Sequence, residues 1–274
     1  MKLFTFGDSW TAGTGCNLKV ENTIKDNEDR RIYRNTMSWP KYLSDLLNVE
    51  FSNLSETACS NKEIFDKVID TIRSGIINEN DLVVIMWSSS LRDNVPFFPK
   101  DEWHIWGKNY TQKKWRFFWF INAFKNTSLG AKYNNFIKSY KEFFIDNLYD
   151  DTYYNIVNQN YILFLQKLFE SYNINYVFCD AFDFMVSKDI TPHLDKTDFI
   201  NKSNYYKFRE GTLKDFLISL DPTDSDLWEE PIKWSDTPGK HPNAKGYQKI
   251  SVEIYDFIIN SHILKNNKSI IKIL

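Results

Sequence analysis

Short runs of apolar residues alternate along the chain with stretches whose apolar positions recur at helical spacing. Leu3 to Phe6 is a brief apolar run ended by Gly7-Asp8, which predicts a buried strand passing into a loop. Ser38 to Leu47 places Ser before Trp-Pro and then spaces its apolar residues helically, so Ser38 is a candidate N-cap. Val49 to Leu54 predicts a second strand. From Ser60 the period of Ile64, Val68, Ile69 and Ile72 predicts a helix ending near Gly75. Leu82 to Trp87 (LVVIMW) is a continuous, β-branched run, and such strands belong to parallel sheets covered on both faces.

The alternation breaks after Asn94. Residues 94–130 carry Trp103, Trp106, Trp115 and Trp119 among Pro, Lys and Arg, and read as an aromatic-rich insertion or lid. The pattern over 131–172 is helical, with a break expected near Asp150-Asp151. Tyr176 to Cys179 gives another buried strand, 182–235 is turn-rich and irregular, and Ala244 to His262 closes as an amphipathic helix. Short buried strands alternating with helices predict one α/β domain over 1–274, a three-layer α/β/α sandwich around a parallel sheet of about four or five strands.

Composition narrows the function classes. The 274 residues carry 34 Lys+Arg and 36 Asp+Glu, a net charge of −2, which lacks the basic excess of a nucleic-acid binder. No uncharged run reaches the roughly 18 residues of a membrane span, and MKLFTFGDSW lacks the pattern of a secretory signal. The expectation is a protein of the producing cell's cytoplasm, with no nucleic-acid or membrane partner. Cys16, Cys59 and Cys179 form no CxxC pair and no metal-ligand spacing, so they read as reduced structural thiols. The sequence leaves oligomeric state open.

Two constellations carry chemistry. Phe6-Gly7-Asp8-Ser9-Trp10 lies at the end of the first strand, at the carboxyl edge where open α/β sheets bind ligands. An ordinary strand-ending turn would look the same. His241-Pro242-Asn243 opens the last helix, where a histidine can turn freely and serve as a general base. A helix-start loop capped by Asn243 is the alternative there.

Together, at opposite ends of one α/β chain, these residues resemble the SGNH (GDSL) hydrolase family, whose fold is flavodoxin-like. Gly7-Asp8-Ser9-Trp10 looks like its first block, with Trp where Leu is usual. Asn53 to Asn61 occupies the place of the second block, with Ala58 in place of Gly. Trp87-Ser88-Ser89-Ser90 stands where the third block has Gly-x-Asn-Asp, and Asp236 to Asn243 resembles the last block. The Trp10, Ser60-Asn61 and Trp-Ser variants look like members encoded by bacteriophages.

The resemblance implies a serine esterase working through an acyl-enzyme, with Ser9 as nucleophile and His241 as base. It implies an oxyanion hole from the Ser9 and Ala58 N–H groups and the Ser90 hydroxyl. The family's acid stands three residues before the histidine; Pro238 is there in this chain, and Asp236 is the acid expected instead, with a main-chain carbonyl near Trp234 or Ser235 orienting His241 in a Ser–His dyad as the alternative. Trp10, Asn61 and Arg92 are candidate substrate contacts, although a surface ion pair is the commoner role for an arginine such as Arg92. No metal and no organic cofactor is implied. The expected substrate is a small-molecule or carbohydrate ester, with removal of acetyl-sized groups favoured by the aromatic insertion. Alternatives are an acyltransferase acting on a sugar hydroxyl, and a catalytically weakened module that binds carbohydrate or builds a virion.

Overall fold

The computed structural model describes residues 1–57, 59–88, 151–181, 184–186, 194–223, 226–229 and 241–264. The insertion expected over 94–130 lies outside the described residues, as do Ala58, Ser90, Arg92 and Asp236.

Four strands form one parallel sheet: β1 (Leu3–Phe6), β2 (Phe51–Asn53), β3 (Leu82–Trp87) and β4 (Asn175–Asp180), in the order β2-β1-β3-β4. In register, Leu3 pairs with Phe51 on one side and Leu82 on the other, and Trp87 ends opposite Asp180. The chain leaves β1 for one edge and then crosses back over it to β3. The carboxyl end of β1 is therefore the topological switch point, where such sheets open a crevice, and Gly7-Asp8-Ser9 lies there.

Helices cover both faces: α1 (Leu18–Glu21), α2 (Asn27–Thr36), α3 (Trp39–Leu47), α4 (Asn61–Arg73), α5 (Asp151–Ser171), α6 (Leu213–Leu220) and α7 (Ala244–Asn260). Strand residues alternate between two cores. Leu3, Leu82, Val84, Met86, Val177 and Cys179 pack with Trp39 and Leu43 of α3 and Ile250 and Ile254 of α7. Phe4, Phe6, Val83, Ile85, Trp87 and Phe178 pack with Ile64 and Val68 of α4 and Ile162 and Leu165 of α5. Both faces being dry explains why LVVIMW is continuous rather than alternating. Burial of each Val, Leu, Ile or Phe is worth about 1.5–3 kcal/mol. The three-layer sandwich expected from the alternation is the observed architecture.

Local signals match most boundaries. Ser60 caps α4 in a capping box with Glu63, and the helix stops at Arg73, before Gly75 at φ +70°. Ser38 precedes Trp39-Pro40, but its side chain makes no capping bond; its hydroxyl donates to Asn35 O instead. The stretch over 182–235 holds more order than its composition suggests. It contains α6, with Leu213 and Leu217 fully buried, and 3-10 turns at Thr197–Phe199 and Lys202–Asn204. Among the described residues, no helix is long and apolar enough to cross a membrane.

Candidate active site

Gly7 is dictated by close packing at the end of β1. A Cβ there would lie 2.1 Å from Thr11 Oγ1 and 2.9 Å from the Met86 carbonyl, so any other residue would force the turn off β3. Asp8, fully buried, pins the turn from within: its carboxylate accepts from the Trp10 N–H at 3.0 Å and from the Ser88 hydroxyl at 2.9 Å. Asn53, at the end of β2, donates to the Thr11 carbonyl at 2.8 Å and to Asn35 Oδ1 at 2.9 Å. The turn carrying Ser9 is thus held by β1, β2 and β3 together. The Ser9 N–H makes no hydrogen bond with any described residue, so it is available to a developing oxyanion.

His241 arrives from the other end of the chain. Asn243 caps α7 by accepting from the Gly246 N–H at 3.0 Å, while its Nδ2 donates to the Asp226 and Trp228 carbonyls at 2.7 and 3.0 Å. Leu227 to Glu229 are thereby laid antiparallel against His241 to Asn243: Trp228 bridges Pro242, and the Asn243 N–H donates to Leu227 O at 3.0 Å. Gly246 permits the approach, since a Cβ there would stand 2.4 Å from the Leu227 carbonyl.

The two halves meet at reacting distance. His241 Nε2 lies 3.0 Å from Ser9 Oγ, and Glu229 Oε1 lies 3.3 Å from His241 Nδ1. The same Glu229 oxygen accepts the His241 main-chain N–H at 3.0 Å. Side-chain exposure is 17% for His241 and 12% for Glu229, and Ser9 is 4% exposed, so the relay is screened from water yet not sealed. A carboxylate on Nδ1 fixes the tautomer that leaves Nε2 free to take the serine proton.

Asp236, where the acid was expected, lies outside the described residues; among them the carboxylate against Nδ1 is Glu229, twelve residues before the histidine. Sequence reading missed it because the cross-strand pairing of Trp228 with Pro242, not loop spacing, brings it there. The only local signal was an apolar Leu227-Trp228 pair directly before it.

Two expected substrate contacts have other surroundings. Trp10 is buried (4% exposed) and packs edge-on against Trp228 at 5.9 Å between ring centroids. Asn61 is also buried; its amide accepts the Ser88 N–H at 2.8 Å and donates to the Ser88 carbonyl at 3.2 Å, clamping the end of β3 to the start of α4. Cys59 is a buried small side chain, as expected. Among the described residues no group of three or more His, Cys, Asp or Glu side chains is arranged to hold a metal.

No family model and no curated protein matches the sequence. Among solved structures, the chain is similar to a protein described as lipolytic, of the G-D-S-L family, from Desulfitobacterium hafniense DCB-2. Identity is 11%, the match covers 93% of this chain and 98% of that one, and the TM-score is 0.40. It is also similar to a member of the lipolytic G-D-S-L family from Veillonella parvula DSM 2008, at 14% identity, with 93% and 97% covered and a TM-score of 0.40.

Proposed function

We propose that the protein is a serine esterase that cleaves a carboxylic ester through an acyl-enzyme. The observation that carries this reading is the continuous line from Ser9 Oγ through the His241 imidazole to the Glu229 carboxylate, at 3.0 and 3.3 Å. Ser9 Oγ attacks the ester carbonyl as its proton passes to His241 Nε2. The tetrahedral oxyanion is held by the Ser9 N–H, with Ala58 N–H and the Ser90 hydroxyl as the further donors expected from the sequence. Collapse expels the alcohol, which takes the proton from the imidazolium. Water, deprotonated by the same imidazole, then adds to the acyl-serine and releases the acid. Glu229 orients the ring and balances its transient positive charge.

The favoured substrate is an acetyl-sized ester on a carbohydrate, supported by the tryptophan-rich stretch over 103–119, whose rings suit the flat faces of sugars. The likeness to bacteriophage-encoded family members rests on Trp10 and the Ser60-Asn61 and Trp87-Ser88 pairs. The reading needs neither metal nor organic cofactor.

Labelling by a fluorophosphonate probe, with hydrolysis of p-nitrophenyl acetate, tests it. Wild-type protein is expected to label and turn over, and Ser9→Ala to do neither, with a loss on the order of 10⁶ in rate. Failure of folded wild-type protein to label would replace the esterase with a non-catalytic carbohydrate-binding or structural module. Product analysis with a sugar acceptor present separates hydrolysis from acyl transfer.

A further inference from the structure

The loop that follows the nucleophile is tied down with more force than a surface turn needs. Glu21 on α1 is buried (1% exposed), and its Oε1 accepts from the Gly15 N–H at 2.9 Å, from Cys16 Sγ at 3.4 Å and from the Asn17 N–H at 3.4 Å. Its other oxygen meets Arg34 Nε of α2 at 2.7 Å. Such a pair gives little net stability when both charges must be desolvated, so its worth lies in the geometry that it imposes.

That geometry bears on the site. The Tyr247 hydroxyl donates to Thr14 O at 2.7 Å and the Ala244 N–H donates to Cys16 O at 3.0 Å, so the loop grips the start of α7 on both sides of Gly15. Gly15 itself has φ +87°, and a Cβ built on it would stand 2.6 Å from Glu229 Oε2 and 2.6 Å from His241 Cβ. Only a residue without a side chain fits between the loop and the acid–base pair.

We propose that Gly15, held in place by the buried Glu21–Arg34 pair, is a positioning residue whose bare Cα seats the Glu229 carboxylate and His241 in line with Ser9. The proposal rests on the esterase reading for its kinetic consequence and on geometry alone for its structural one. A group that displaces the acid by about an ångström is expected to cost up to about 10²-fold in turnover, because the imidazole leaves its near-attack orientation.

The test is a double-mutant cycle on p-nitrophenyl acetate hydrolysis. Gly15→Ala is expected to lower kcat by about 10- to 100-fold with KM within about 2-fold, and by a clearly smaller factor when Glu229 is already Ala, where only the contact with His241 Cβ remains. Equal losses in both backgrounds would mean that Gly15 does not act through the Glu229 carboxylate and would overturn the proposal. Should Gly15→Ala not fold, Glu21→Gln runs the same cycle with the same two outcomes, since it loosens the loop without adding an atom to the site. A second readout needs no activity: in histidine-labelled protein, the ring ¹⁵N shifts of His241 are expected to move in Gly15→Ala, or in Glu21→Gln if that variant replaces it. Unchanged shifts would overturn the proposal. Wild-type protein that neither labels nor turns over would overturn the esterase reading instead and leave the NMR arm to decide.

Discussion

Glu229 and His241 face each other across a two-strand bridge, and their backbones are joined as well as their side chains: the Glu229 N–H donates to the His241 carbonyl at 2.9 Å, while Glu229 Oε1 accepts the His241 N–H at 3.0 Å. The Glu229 carboxylate and the His241 imidazole are therefore positioned together.

That pairing separates two carboxylates experimentally. Glu229→Gln is expected to lower kcat by on the order of 10² to 10⁴, because the amide no longer favours the required tautomer or stabilises the imidazolium. Asp236→Asn, at the position the sequence suggested, is expected to change the rate by less than about 5-fold. Steady-state kinetics of the two variants decide the matter, and the opposite ranking would return the role to Asp236.

Asn61 provides a contrast between binding and support. Asn61→Ala strips the Ser88 N–H and carbonyl of their partners, at about 1–3 kcal/mol for each buried group left unpaired. Urea denaturation should show the midpoint falling. A rise in KM at unchanged stability would instead place Asn61 against the substrate.

The ion pair beside the Ser9 loop should be asymmetric in its response. Arg34→Met leaves Glu21 buried and unpaired, which is expected to cost about 3–5 kcal/mol. The double change Arg34→Met with Glu21→Met should recover much of that loss in thermal melts while leaving activity low, because the Gly15 N–H then has no acceptor. Recovery of activity along with stability would speak against a positioning role for the pair.

Alkaline pH should unfold the protein in a defined window. Burial, and then the charge of Glu21, push the Cys16 thiol up to about 12. An unfolded thiol titrates near about 8.5. The folded chain thus keeps a proton that the unfolded chain sheds, so this stabilisation is complete below about pH 8.5 and lost as pH rises toward 12. Burial raises the Tyr247 phenol in the same sense, with neighbouring Cys16, Asp8 and Glu21 adding to it. Melting temperature is expected to fall steadily over that window, and Cys16→Ser to flatten the slope. An unaltered slope in Cys16→Ser would assign it to the tyrosines.

Most of the sandwich was legible because its strands are continuous apolar runs and its helices carry period and caps. Leu82–Trp87 and the helical period of Ile64, Val68 and Ile72 needed no tertiary information. The helices α1 and α2 have caps, Asn17 and Asp26, but no buried stripe to announce them: α2 buries no residue at all, and its Arg34 matters through a single charge reaching Glu21. Within the site, Ser9 and His241 sit at element ends that local sequence defines. Glu229 and Gly15 are set by contacts between segments more than two hundred residues apart, or across a bridge, and no spacing rule reports those.

The meeting of Ser9 with a histidine 232 positions later has a consequence for how the protein comes into being. A ribosome adding about 5–20 residues per second makes the serine first and supplies its activating base only many seconds afterwards. Throughout that interval Ser9 is an ordinary alcohol, without the imidazole that makes it a nucleophile. On the esterase reading, hydrolytic power therefore switches on with the docking of α7, and a nascent chain is protected from premature reaction by the order in which its parts are made.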